Sequence, residues 1–119
     1  MKKVVMKGKA PVDQFVPGGA GYEVYDQGGV VYASTLNQSN IGNNNNKFYI
    51  LQVLKSSSNP NSFMFWTRWG RVGVPGQNAP ITTDNVNMAI NWYNKKKRDK
   101  LNGGYREVEM NYDADDEEK

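Results

Sequence analysis

Near the middle of the chain, Thr67-Arg68-Trp69-Gly70-Arg71-Val72-Gly73 gathers the side chains best equipped for chemistry. On a regular strand alternate side chains share a face. Trp69 and Arg71 then project together with Thr67, Phe65 and Phe63, while Arg68 joins Trp66 and Met64. A flat indole beside a guanidinium suits an exposed sugar or terminal base. Stacking on an aromatic is worth about 1–3 kcal/mol per base, and arginine forks two donors onto a phosphate. Gly70 between them is expected to let a partner's backbone approach closely.

The absences narrow the chemistry further. The sequence holds no His and no Cys. Disulfides, a thiol nucleophile and a thiolate metal site are excluded, along with the commonest general base and the commonest zinc ligand. The acids before the C-terminal tail are scattered (Asp13, Glu23, Asp26, Asp84, Asp99, Glu107, Glu109), and no two are spaced as an acid/base dyad. No catalytic site, metal or cofactor is expected in this chain.

Charge points to a partner. The formal net charge of +3 hides an asymmetry: residues 1–112 hold 14 basic and seven acidic side chains, a net of +7, and residues 113–119 are acidic. A basic body suits a phosphate-bearing partner, although ordinary surface charge gives the same composition. The basic start, Met1-Lys2-Lys3, is followed by an apolar run too short for a secretory signal. No segment approaches the roughly 20 apolar residues of a membrane helix, so a soluble intracellular protein is expected.

Elements must position these residues. Residues 1–21 read as a basic arm and irregular lead-in, 22–112 as one folded domain and 113–119 as an acidic tail. Residues 22–36 alternate around Asp26-Gln27-Gly28-Gly29 and suggest a β-hairpin. Four consecutive Asn, 43–46, favour turn geometry. Strands are expected over 48–54 and 63–69, joined through Asn59-Pro60-Asn61, with Val74-Pro75-Gly76 ending the second. Thr82-Thr83-Asp84 offers helix N-caps. Val86, Ala89, Ile90 and Tyr93 fall at i, i+3, i+4, i+7 as a core stripe. Lys95-Lys96-Lys97-Arg98 suit the helix end, and Asn102-Gly103-Gly104 stops it. A closing strand is expected from Tyr105 to Tyr112. The fold class is α+β: an antiparallel sheet with one main helix on one face.

The central heptad resembles the signature of the WGR domain, and the likeness extends along the chain in the same order. Gly8-Lys9-Ala10-Pro11-Val12-Asp13 resembles the family's lead-in, and Leu36-Asn37-Gln38-Ser39-Asn40, Asn44-Asn45-Asn46-Lys47-Phe48-Tyr49 and Leu51-Gln52-Val53-Leu54 its strands. Tyr105 through Glu109-Met110-Asn111-Tyr112-Asp113 resembles its exit, so roughly residues 8–113 are covered. After Lys96 the chain departs. Lys97 stands where the family usually has Phe, and Lys100-Leu101-Asn102-Gly103-Gly104 runs almost directly to Tyr105, without a Lys-Thr-x-Asn-x-Trp stretch.

The resemblance implies a WGR-like sheet carrying one helix, in a DNA-dependent poly(ADP-ribose) polymerase. It implies a non-catalytic module that grips the end of a DNA strand break, especially a 5′-phosphorylated one. Occupancy would be relayed to helical regulatory and catalytic domains of the same polypeptide, in the nucleus, with the NAD site in the catalytic domain. On the matching positions, Trp69 packs on the DNA terminus and Arg71 bridges DNA and regulatory domain. Asn46 and Tyr105 lie near the phosphate, with Lys47 and Arg68 as adjoining cations; by their charge, Lys95, Lys96 and Lys100 are candidates for steering the DNA backbone. An isolated domain is expected to be monomeric. Plainer readings stand beside these: a core role for Trp69 and Tyr105, solvated cations at Arg71 and Lys100, a polar loop at Asn46. Two other functions fit the same residues, a protein-interaction module and a single-strand or RNA binder without end specificity.

Overall fold

The computed structural model describes residues 10–40 and 45–109. The basic arm over 1–9, residues 41–44 of the polar turn, the end of the expected closing strand from 110 and the acidic tail lie outside the described residues.

Aromatic and β-branched residues build an antiparallel sheet. The strands are β1 (Tyr22–Val24), β2 (Asp26–Gln27), β3 (Val30–Val31), β4 (Ala33–Asn40), β5 (Asn45–Ser56), β6 (Phe63–Arg71), β7 (Gln77–Thr83) and β8 (Arg106–Val108), with α1 (Val86–Asn102) between the last two; β2 and β3 form a separate two-stranded ribbon. The main sheet runs β7-β6-β5-β4-β8, and β1 also pairs with β5. The 12-residue β5 is long enough to serve β4 along its first part and β1 along its last. The expected hairpin over 22–36 is therefore smaller than its pattern suggested. Only β2 and β3 close on each other, around Gly28 and Gly29 at φ 59 and 83, while β1 joins β5 instead.

β6 explains the architecture. Its first six residues are all buried, on both pleat faces, so the sheet is covered on two sides. On one face Leu36, Tyr49, Leu51, Val53 and Phe65 pack against Ala89 and Tyr93 of α1. On the other, Val24, Leu54, Met64 and the fully buried Trp66 pack beneath Ala10 and Val16 of the lead-in. Burying a side chain of this size contributes about 1.5–3 kcal/mol.

Two details differ from the sequence expectation. Gln77–Thr83 forms β7, an edge strand pairing with β6 from Trp69↔Gln77 to Phe63↔Thr83. Its Pro80 and the weakly β-prone Gln77-Asn78-Ala79 before it hide it, and an edge strand is where Pro is tolerated. Thr82 and Thr83 thus belong to the strand, and the helix is capped by Asn85, whose side chain accepts from the backbone N–H of Asn87 and Met88 at 3.0 and 3.3 Å. α1 then runs to Asn102 as expected, with Ala89 and Tyr93 buried. Among the described residues no helix is long and apolar enough to cross a membrane.

Candidate nucleic-acid interface

The strand register arranges side chains in rows across the sheet. Leu36, Tyr49 and Trp69 occupy one row on the helix-covered face, and Gln38, Lys47 and Arg71 the next row outward. The helix covers the first row and stops short of the second: Lys47 and Arg71 are exposed and Trp69 is half-buried. The end of this face therefore offers an indole flanked by two adjacent cationic side chains.

The C-terminal turn of α1 completes the patch. The Lys100 ammonium sits 4.7 Å from the Tyr49 ring centre and 6.0 Å from that of Tyr105. Tyr49 stacks on Trp69 with centroids 5.6 Å apart and planes 12° apart, and Tyr105 meets it edge-on at 6.1 Å. The Gln38 amide donates to the Gly103 carbonyl at 3.0 Å, tying the helix stop to β4. Burial pushes the Tyr49 phenol above its ordinary pKa, with the nearby Tyr105 adding to the shift against a hydrogen bond with Thr67. Burial also raises Tyr105. Both phenols are neutral hydrogen-bonding groups at neutral pH.

Five of the seven expected site residues meet on this face: Trp69, Arg71, Lys47, Lys100 and Tyr105. Asn46 is exposed at the same end of the sheet, but strand alternation turns its side chain to the opposite pleat face from Lys47. Its carbonyl accepts from Val72 N–H at 2.9 Å, closing the ladder at the start of the turn.

Arg68 sits elsewhere. It lies on the lead-in face, 8% exposed, with its Nε and Nη2 on the Asp13 carboxylate at 2.7 and 3.1 Å and Nη1 on the Pro75 carbonyl at 2.7 Å. Phe15 and Phe48 hold the guanidinium at 4.4 and 5.0 Å from their ring centres. Asp13 also accepts from Trp66 Nε1 at 2.7 Å. Burial alone raises the Asp13 pKa, but the hydrogen bonds from Arg68 and Trp66 and the Arg68 charge outweigh it and hold the carboxyl below its usual value. Arg68 is thus a strut between the lead-in and the turn over 72–76, which carries the chain away from Arg71.

Gly70 also has a different reason from the one expected. A Cβ there would lie 2.9 Å from Gly76 Cα, so the close approach comes from the chain's own returning turn. Gly76 is still tighter: at φ 79, its Cβ would fall 2.1 Å from the Trp69 carbonyl oxygen. On the lead-in face below this turn, Phe15, Phe48, Ile50, Val72, Val74 and Pro75 line an open cleft of about 490 Å³. Among the described residues no group of three or more His, Cys, Asp or Glu could hold a metal.

Sequence reasoning named Asp13 and Tyr49 within motifs but gave neither a role at the site. Nothing local to Asp13 points to its partners, which lie 53 and 55 residues away. Tyr49 was visible as a strand residue, but only the register with β6 sets it against Trp69.

Known proteins resemble this chain along its length. The family profile described as the WGR domain matches residues 32–112. Human "Poly [ADP-ribose] polymerase 2" is 37% identical over 136 aligned positions, spanning 100% of this chain and 23% of the relative. The Zea mays protein of the same name is 51% identical over 79 positions, covering 65% of this chain and 12% of the relative. Human "Protein mono-ADP-ribosyltransferase PARP3" is 42% identical over 87 positions, covering 73% of this chain and 15% of the relative. The chain spans less than a quarter of the length of these relatives. By its ordered motifs, its sheet-and-helix architecture and this match, the chain belongs to the WGR domain family.

Proposed function

We propose that this domain binds the ends of DNA strand breaks, with preference for a 5′-phosphate. It does so as a monomeric, non-catalytic part of a nuclear poly(ADP-ribose) polymerase, whose regulatory and catalytic regions respond to its occupancy. The observation that carries the reading is the half-buried Trp69 beside exposed Arg71 and Lys47 at one end of the sheet. An indole anchored on one side keeps its other surface for a terminal sugar or base. Arg71 is the bidentate phosphate donor and the bridge to the regulatory region, and Lys47 adds a second charge. Lys100 and Tyr105 border the same surface, Asn46 supplies an amide from the neighbouring edge, and Arg68 positions the turn rather than touching DNA. Nothing in the described elements resembles a base-reading helix, so the contacts are sequence-independent.

The test is a fluorescence-anisotropy titration of a short blunt duplex with and without a 5′-phosphate, repeated with Arg71→Ala. Tighter binding to the phosphorylated end that is lost in the variant supports the reading. Equal binding to both duplexes, unchanged by the substitution, refutes it. A second reading, a protein-interaction module, is favoured by the apolar cleft around Phe15, Val72 and Val74, which are 40%, 52% and 49% exposed. That reading requires little salt dependence and scant DNA binding.

A further inference from the structure

The aromatic cluster beneath the candidate interface has a centre, and that centre is not Trp69. Tyr49 is 5% exposed and is held from several sides. Trp69 stacks nearly parallel on its ring, the Lys100 ammonium rests against the ring at 4.7 Å, and Tyr105 abuts its edge. Three residues of the candidate interface thus share one neighbour, although they come from β6, the last turn of α1 and the residue just before β8.

A stacking surface is useful only if its plane is fixed before the ligand arrives, because ordering a loose indole on binding costs affinity. Trp69 is near the end of β6, beyond the six buried positions, where packing is thinner. The strand backbone fixes its Cα, but it leaves the indole plane open to rotation about χ1 and χ2. The parallel ring beneath it restricts that rotation.

We propose that Tyr49 is a positioning residue for the interface: it sets the plane of the Trp69 indole and seats the Lys100 ammonium beside it. Tyr49 contacts no DNA in this arrangement. It acts through the two residues that do, so this inference rests on the DNA-end reading above. The ring is the working part and the hydroxyl is secondary, which makes Tyr49→Phe a close stand-in and Tyr49→Leu a disruptive one.

The experiment uses protein labelled with 5-fluorotryptophan, with the Trp69 fluorine resonance assigned by its loss in Trp69→Phe. Binding of a 5′-phosphorylated blunt duplex is titrated in parallel for Tyr49→Leu, Tyr49→Phe, Trp69→Ala and the Tyr49→Leu/Trp69→Ala double variant. Tyr49→Leu is expected to shift or broaden the Trp69 resonance, to leave that of Trp66 in place, and to weaken binding about fivefold, in line with a stacked aromatic pair. Tyr49→Phe is expected to stay within about twofold of the parent, and the double variant to bind no worse than Trp69→Ala alone, the signature of one coupled unit. Parental affinity in a folded Tyr49→Leu, or penalties that add fully in the double variant, would overturn the proposal. If Tyr49→Leu does not fold, Tyr49→Met fills the same space flexibly and faces the same outcomes. Parental binding by Trp69→Ala itself would overturn the DNA-end reading instead, and the fluorine spectrum would then decide alone whether Tyr49 sets the indole.

Discussion

Replacing Asp13 with asparagine changes one oxygen to an amide nitrogen and removes one charge. The carboxylate accepts Trp66 Nε1, Arg68 Nε and Arg68 Nη2, and the two charged side chains are only 9% and 4% exposed. An asparagine oxygen can still serve Trp66, but the guanidinium loses its counter-charge while remaining buried. Breaking a buried pair on one side costs about 3–5 kcal/mol, far more than an exposed pair is worth. With a urea m-value of about 1.5–2 kcal/mol/M for a domain of this size, the unfolding midpoint should fall by about 2 M. Adding Arg68→Met to Asp13→Asn removes the orphaned charge and keeps an acceptor for Trp66, so the double variant should be more stable than the single one. Equilibrium urea unfolding of parent, single and double variants decides it. A loss below about 1 kcal/mol in Asp13→Asn, or a double variant less stable than the single, would refute the claim that this ion pair is buried and matched.

The same carboxyl gives a pH prediction. Its folded-state pKa lies below the unfolded one, so its contribution is complete above the unfolded carboxylate range and disappears as pH falls through the folded value. Parent protein should lose stability on acidification more steeply than Asp13→Asn, as followed by urea midpoints between pH 7 and about pH 3. Asn85→Ala removes the acceptor for two helix N–H groups and should cost about 1 kcal/mol, seen as a drop of a few degrees in Tm without loss of fold. Gly76→Ala must place a Cβ against the Trp69 carbonyl at a positive φ. It should destabilise by about 3 kcal/mol or more and lower duplex affinity together, because the displaced atom is the backbone of Trp69. Affinity for a phosphorylated duplex should fall with salt at a slope of about −0.9 per phosphate neutralised, and Arg71→Ala should flatten it by close to one contact, measured between low and physiological salt.

Much of the scaffold was legible because it is local. Strands 48–54 and 63–69 announce themselves by composition, and α1 by the spacing of Ala89 and Tyr93 and the glycines after it. The face shared by Trp69 and Arg71 follows from strand alternation alone. What stayed hidden depends on partners distant in sequence. β7 carries Pro80 and only its end, Ile81 to Thr83, favours a strand; its first half pairs because β6 presents it a ladder. Arg68 looks like a surface cation until Asp13, 55 residues away, is brought beside it. The glycine of the Trp-Gly-Arg triplet looks like room for a ligand until the turn returns over it.

The lead-in decides where the molecule can be cut. Ala10 and Val16 lie over Met64 and Trp66, Asp13 holds both Trp66 and Arg68, and the Gln52 amide donates to the Pro11 carbonyl at 3.1 Å. A shortened protein beginning at Tyr22 would keep every strand and the helix, yet strip one whole side of the sheet. Trp66, Met64 and Leu54 would face water beside an arginine with no counter-charge, an adhesive surface for like molecules. Such a fragment should express as aggregates, and any weak duplex binding measured on it would report the loss of the 21 residues before Tyr22, with the covering lead-in from Ala10 to Gly21 among them, rather than the surface on the helix side.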